Sequence, residues 1–420
     1  MHRYDDGDHG SFISHARGIA SLLMADLISL EEALARIFEQ VRPLDAEPVP
    51  LAAAAGRVIA DDARSLVDLP PFASSAMDGF AVRSSDTPGR LPVVARIAAG
   101  VPAPRALEQG EAMGIATGGV VPDGADAVIP IEHVVASDNN VEIGQPAGQG
   151  DNVRSRGSDV SAGDVVVSQG SRVGPAQIGA LAAAGLVEVS AARRPRVAVL
   201  ATGTELRRPG EPLGPGEVYE ANGVLLVTAL ASAGADVETL PTVADDPAAH
   251  RRALELGLEA DVLVTSGGVS VGPHDLVRGL LAELGVAEIF WGVAVKPGKP
   301  LAFGVRGSTL VFGLPGNPVS SLVGAEVFVR PALLALQGAS VPGPVYSTGS
   351  LASAIRRNKQ RDEFVRARSV PSATGVVLEP ITGQESHMIA RAATADALVH
   401  APRGDGALAA GETVRYLPLA

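Results

Sequence analysis

Apolar and polar positions along this chain fall into three textures, and each predicts a different kind of element. After Ser29 the apolar residues Leu30, Ala33, Leu34 and Ile37 recur at helical spacing, and Ser29 with Glu32 forms a capping-box pattern at the start of that helix. Residues 51–150 instead hold short apolar runs, such as LPVVARIAAG and ADAVIPIEHV, broken at close intervals by Pro, Gly and Asp. That texture predicts a compact β-rich domain. Residues 151–193 add short strands and an Ala-rich helix over about 175–185, expected to pack back near the first helix.

From Arg194 the pattern becomes a regular alternation. RVAVLATG reads as a strand, 222–233 as a helix, VETLPTV as a strand, 247–258 as a helix, DVLVTSGG as a strand and 275–284 as a helix. Further strands are expected near 290–295 and 310–313, with a helix opening after GLPGNP. This is the βαβ repeat of a doubly wound sheet with right-handed crossovers. After Gly343 the helical patterns stop, and short strands such as FVRARSV, GVVLEPI and ETVRYLPL predict a small terminal β-barrel or sandwich. The expected organisation is therefore an α/β and β multidomain chain. A disordered extension (1–24) precedes an elongated linker domain (25–50 with 151–193). A β-rich second domain (51–150), an α/β domain (194–338) and a C-terminal β-barrel (343–420) follow.

A length of 420 residues fits several cores rather than one. The net charge of −13 argues against nucleic acid or an anionic membrane surface as partner, so an anionic substrate needs a local basic site. There is no cysteine, which excludes disulfides, thiolate nucleophiles and cysteine-ligated metals. With no leader pattern and no evident apolar run of transmembrane length, the expected location is cytoplasmic. The first residues carry His2 and His9 beside Asp5, Asp6 and Asp8. A metal-binding tail is conceivable there, but a disordered extension before a natural start at Met24 is the simpler expectation.

Candidate chemistry gathers after the strands of the α/β region, where open sheets bind ligands. Glu205, Asp245 and Asp275 follow three successive strands, and three carboxylates on one rim could hold a hard cation such as Mg²⁺. Asp245–Asp246–Pro247 also reads as a helix cap followed by proline. TSGGVSVG and GLPGNPVS, which carry Ser270 and Ser320, bring glycines and hydroxyls to the same rim and suit an oxyanion. Neither is a Walker loop. KPGKP places Lys296 and Lys299 on a proline-stiffened loop in a chain whose only other lysine is Lys359. Two ammonium groups there suit a phosphate or oxyanion. Asp78 in SSAMDGF and Thr117 in ATGG read, taken alone, as ordinary turns.

Taken in order, SSAMDGFAV, ATGGVVPDGADAVIPIE, NVRSRGSDV, ATGTEL, ADDP, TSGGVSVGPHD, KPGKPLAFG and GLPGNPVS resemble the molybdopterin molybdenumtransferase family, which includes the C-terminal catalytic region of gephyrin. The resemblance runs from about residue 25 to the C-terminus. It implies an elongated homodimer of four-domain subunits whose third domain is the molybdopterin-binding α/β domain. It also implies a Mg²⁺-dependent reaction in which molybdate and adenylylated molybdopterin give molybdenum cofactor and AMP. By motif position, Glu205, Asp245 and Asp275 are the expected metal-binding acids. Ser270, Lys296, Lys299 and Ser320 are expected on the pterin phosphate or molybdate, with Arg361 (in QRDEF) and Ser386 (in GQESH) contacting the oxyanion from the terminal domain. Asp78, Thr117 and Asp159 match functional positions in and beside the second domain, and the implied cleft sets Asp78 across a dimer interface from Asp275. Implied partners include molybdopterin adenylyltransferase and molybdoenzyme-maturation proteins.

Three positions depart from the family pattern. Gly292 stands where relatives often carry a lysine, Thr204 replaces a frequent acid, and Phe80 replaces a tyrosine. Two competing readings remain: a molybdopterin adenylyltransferase, whose small α/β fold resembles residues 194–335, and a non-catalytic cofactor-binding scaffold. The flanking domains argue against the first, and retention of the acids and lysines against the second.

Overall fold

The computed structural model describes residues 27–242, 246–268 and 276–419. The expected N-terminal extension lies outside them, together with His2, His9 and Met24. The described residues divide into two compact units: 27–46, 56–58 and 192–419 form one, and Glu47–Ala55 with Ile59–Ala191 the other.

Strict period-2 alternation builds the second of these units. Its six-stranded sheet runs in the order Ala127–Pro130, Gly79–Val82, Ala112–Ile115, Gly89–Ile97, Asn140–Ile143, Val134–Ala136. Successive side chains point to opposite faces. Phe80, Val82, Ala112 and Ile129 therefore enter one core, whereas Ala81, Met113 and Val128 enter another. A separate core of Val49, Leu51, Ile59, Val167 and Val189 surrounds Leu181 of the helix Pro175–Ala183.

This helix and the first one bury their apolar faces in different cores. The first helix, Leu30–Gln40, is N-capped by Ser29, whose hydroxyl accepts from the Glu32 N–H at 3.0 Å. Its apolar stripe of Leu30, Ala33 and Ile37 shares a core with Val293, Phe328 and Leu333 in the other unit. Amphipathic spacing requires an apolar partner for that stripe but does not say which one.

In that larger unit the sheet order is Asp236–Thr239, Arg196–Ala201, Val262–Ser266, Thr309–Leu314, Ala302–Arg306, Ala287–Trp291. The first four strands are parallel. Val197, Val199, Val262 and Val264 pack against Leu226 and Leu230 of the helix Asn222–Ser232 and against Val323, Val327 and Phe328. Ala198, Leu200 and Leu263 pack on the opposite face against Leu254 and Leu280 of the helices Pro247–Gly257 and Leu276–Glu283. Helices thus cover both faces, as doubly wound patterning predicts. The strand expected near 290–295 is two short strands, Ala287–Trp291 and Val295–Lys296, and the strand Ala302–Arg306 adds an antiparallel hairpin with Thr309–Leu314. The sheet is therefore mixed at this edge, because a short turn at Gly307 leaves no length for a crossover.

A continuous helical stretch, Pro318–Leu336, follows GLPGN and contains one π turn, Ala325–Val329. An 18-residue window of it has a mean hydropathy of 1.6, enough by length and composition alone to cross a membrane, although Glu326 and Arg330 break the apolar run. However, 72% of that stretch is buried within the protein, and Glu326 pairs with Arg330 at 2.7 Å along it. It is a core helix.

The terminal strands close as expected. Asp362–Ser372, Gly375–Pro380, Ser347–Leu351, Thr413–Pro418 and Ala397–Ala401 pair in turn, and Ala397–Ala401 pairs back onto Asp362–Ser372 to complete a five-stranded barrel. Val295–Lys296 adds to the barrel strand Asp362–Ser372 in parallel. One short helix, Ile389–Ala392, interrupts a region expected to be helix-free.

Candidate active site

Parallel strands end on one edge of their sheet, so the loops after Ala201, Ser266 and Leu314 emerge together. Ala287–Trp291 is antiparallel to Ala302–Arg306, which is antiparallel to Thr309–Leu314; its Trp291 end, and hence KPGKP, lies on the same edge. A buried hydrogen-bond chain ties these loops. Asn222 Nδ2 donates to Ser266 Oγ at 2.8 Å and to Gly316 O at 2.7 Å. The Ser321 hydroxyl donates to Pro315 O at 2.7 Å, which leaves Ser266, 3.2 Å away, as the donor to Ser321 Oγ. Asn222 Oδ1 is buried without a hydrogen-bond partner among the described residues.

Above this chain lies a cleft of about 290 Å³ lined by Thr202, Gly203, Glu205, Asn222, His250 and Ser266. Glu205 is exposed and folds back over its own loop: a Cβ on Gly203, whose φ is +153°, would sit 2.7 Å from either Glu205 carboxylate oxygen. Glycine at 203 leaves that space open. Asp246 caps the next helix, accepting from the Ala248 and Ala249 N–H groups at 3.2 and 3.1 Å. Asp245, Ser270 and Asp275 lie outside the described residues. Among those described, no three His, Cys, Asp or Glu side chains gather as a metal site. Glu205 nevertheless offers the oxygen donor that Mg²⁺ takes, and Mg²⁺ needs only one or two carboxylates when substrate phosphate and water complete its shell.

A second cavity, of about 440 Å³, opens between KPGKP and the barrel and is lined by Lys296, Arg356, Asn358, Glu363 and Gln384 among others. Parallel pairing sets Val295 beside Asp362 and Lys296 beside Glu363, and the Asp362 N–H donates to Ala294 O at 2.8 Å. Lys296 Nζ makes a 2.8 Å ion pair with Glu363 Oε1. This pairing brings Arg361 alongside the lysine loop. The Lys299 ammonium and the Arg361 guanidinium are half-buried and have no ion-pair or hydrogen-bond partner among the described residues. Gly298 packs against the backbone of buried Ser320, and the Val319 N–H donates to Ser386 O at 3.1 Å. These backbone contacts bring together the segments that carry Lys296, Lys299, Ser320, Arg361 and Ser386, and of these five residues Lys296 lines the cavity. Behind it, fully buried Arg366 donates to Met388 O at 2.8 Å, Gly383 O at 2.9 Å and Glu385 O at 3.2 Å, so a guanidinium holds the loop that carries Ser386. Burial lowers the Arg366 pKa below its ordinary value.

Asp78, Thr117 and Asp159 belong to the other unit. Asp78 is exposed, and one of its oxygens accepts from the Thr117 N–H at 2.7 Å and the Thr117 hydroxyl at 3.0 Å. The backbone N–H first, and the hydroxyl second, hold its carboxyl below the usual carboxylate range. Two turns that read separately as ordinary are one hydrogen-bonded pair. Asp159 is exposed, and its N–H donates to Leu69 O at 2.9 Å.

Three family models cover nearly all of this framework. The MoeA N-terminal region (domain I and II) matches residues 28–185, a probable molybdopterin binding domain matches 198–335, and the MoeA C-terminal region (domain IV) matches 348–419. Molybdopterin molybdenumtransferase 2 of Mycobacterium tuberculosis is 37% identical over 407 residues, covering 93% of this chain and 99% of that protein. The chain belongs to the molybdopterin molybdenumtransferase family. The Haemophilus influenzae molybdopterin molybdenumtransferase is 34% identical, over 93% of this chain and 98% of its own length. A solved molybdopterin biosynthesis moeA protein from Pyrococcus horikoshii OT3 superposes with a TM-score of 0.82 at 28% identity, covering 94% of this chain and 100% of that one. A second P. horikoshii structure of that description gives 0.76 at 32% identity, covering 94% and 99%. The chain therefore stands among the transferases of molybdenum cofactor biosynthesis, in a family that it matches along its length and not through its α/β part alone.

Within the molybdenumtransferase framework, two departures gain physical reasons. Gly292 has φ +87°, where an L side chain is strained, and a Cβ there would lie 2.8 Å from Leu27 Cδ2, so this backbone favours glycine over a lysine. Phe80 is 2% exposed in an apolar core. A tyrosine hydroxyl there would need a buried partner. Asn222, Glu363 and Arg366 were missed by sequence reasoning. Arg366 left one signal: it shares strand parity with Phe364, so period-2 patterning puts both on one face.

Proposed function

We propose that this chain inserts molybdate into adenylylated molybdopterin, with release of AMP and formation of molybdenum cofactor. The observation that carries this reading is the juxtaposition, along one sheet edge, of a glycine- and carboxylate-lined cleft with a cationic corner. The cleft suits a phosphorylated substrate whose phosphoanhydride is to be cleaved. The corner suits a tetrahedral dianion, which needs ammonium, guanidinium and hydroxyl donors. Glu205, with Asp245 and Asp275, would hold Mg²⁺, which supplies charge neutralisation for the departing AMP. Ser270 and Ser320 contact the pterin phosphate or the anion. Lys299, Arg361 and Ser386 hold and orient molybdate, and Lys296 joins them when its ion pair opens. Asp78, Thr117 and Asp159 also serve the reaction. The metal ends on the substrate's own dithiolene, so the protein needs no thiolate of its own. We further place the reaction in the cytoplasm and in a homodimer.

The test is AMP release from adenylylated molybdopterin. Release that depends on both molybdate and Mg²⁺ supports the proposal. Release indifferent to molybdate, or ATP consumption with free molybdopterin, would instead favour an adenylyltransferase.

A further inference from the structure

The cationic corner contains an acid that an anion site would not be expected to tolerate. Glu363 is 9% exposed, and its carboxylate holds Lys296 at 2.8 Å inside the same cavity. Lys299 and Arg361 carry no such partner among the described residues. The acid is fixed by the fold rather than by chance rotamers, because Lys296 and Glu363 are register partners on adjacent parallel strands. Two lysines and an arginine with no acid would hold a dianion tightly and release it poorly. One carboxylate that competes for one lysine weakens the field at close range, where charge–charge energies are largest.

We propose that Glu363 sets the affinity of this corner: it occupies Lys296 in the resting state and is displaced from it as a tetrahedral dianion enters. The entering anion exchanges one partner of Lys296 for another. The lysine is therefore never left as a half-buried, uncompensated charge, and the carboxylate, once displaced, repels the anion and limits its residence. Glu363 thus acts by tuning Lys296 and the local field, and bonds to no reacting atom. The proposal rests on the anion-site assignment of Lys296, Lys299 and Arg361.

Equilibrium dialysis of the whole chain against sodium molybdate, and separately against inorganic phosphate, tests it without turnover. Glu363→Gln keeps the shape and removes the charge. It should tighten binding of the anion that this corner takes by about tenfold, the scale of one favourable coupling between sites. Glu363→Asp, which keeps the charge, should give a clearly smaller gain. The two probes also separate molybdate from a substrate phosphate as the natural occupant. A role confined to structure would lower the melting temperature and leave both affinities where they were. Should Glu363→Gln fold poorly, Lys296→Gln and the Lys296→Gln/Glu363→Gln double variant carry the test. The single change should weaken binding, and removing the stranded acid should recover most of the loss. The inference is overturned if Lys299→Ala weakens anion binding while Glu363→Gln leaves it unchanged or weaker. If Lys299→Ala has no effect on either anion, the anion-site assignment itself fails, and the inference goes with it.

Discussion

The cleft after Ala201 and the corner beside KPGKP lie along one sheet edge but are built by opposite means. Neutral groups shape the cleft: an amide, two hydroxyls and two carbonyls tie its loops, and its one described acidic side chain, Glu205, is exposed. Charged groups shape the corner: Lys296 is paired with Glu363, and Arg366 is buried among carbonyls. A neutral scaffold leaves the charge of Glu205 uncommitted and available to a cation. A charged scaffold commits part of its charge in advance, which sets how strongly the corner can hold an anion. The lesson is that charge spent on architecture and charge left for ligand must be counted separately.

Several substitutions sharpen or break that contrast. Glu205→Gln removes the uncommitted charge, and turnover in AMP release should fall about a hundredfold, the scale for one group that stabilises developing charge. Its melting temperature should stay close to that of the parent. Turnover within a factor of two of the parent would remove Glu205 from the chemistry. Asn222→Ala attacks the neutral scaffold instead. It leaves buried Ser266 Oγ without the donor it accepts from and Gly316 O without its amide partner, so denaturant unfolding should show a loss of about 1–3 kcal/mol. A loss too small to measure would mean that the loops hold their places without that amide.

The smallest expected effect lies in the other unit. Thr117→Val removes the hydroxyl that donates to Asp78 but keeps the backbone N–H. Because the Asp78 pKa is lowered in the folded state, its contribution to stability is fully present above the ordinary value of 3.8 and is lost as pH falls through the lower folded value. The variant should move the Asp78 titration, followed by carbonyl-carbon NMR, part of the way back up. A titration that stays put would assign the whole effect to the backbone.

Much of the α/β layer was legible in the sequence, because buried parallel strands are continuous apolar runs and their glycine-rich loops follow directly. The barrel was legible as closely spaced short strands. Of the hairpin formed by Ala302–Arg306 and Thr309–Leu314, the second strand was expected near 310–313 and the first was not. Nor could spacing reveal that Leu30, Ala33 and Ile37 pack with Val293 and Phe328. At the site, the lysines stood out by rarity and the rim by its loops, whereas Glu363 and Asn222 acquire meaning only from partners distant in the chain. Gly292 could be read as a lost positive charge. Its left-handed backbone, which favours glycine there, is visible only in three dimensions.

The most direct test of the central claim, that cleft and corner serve one reaction through separate substrates, is a molybdate titration of AMP release in Lys299→Ala. The lysine has no partner among the described residues, so its loss should cost roughly 0–1 kcal/mol of stability, as for an exposed charge. The account predicts that half-maximal turnover will need about tenfold more molybdate, equivalent to ~1.4 kcal/mol, with the dependence on adenylylated molybdopterin little changed. An unchanged molybdate requirement, with a weakened dependence on the pterin substrate in its place, would contradict it.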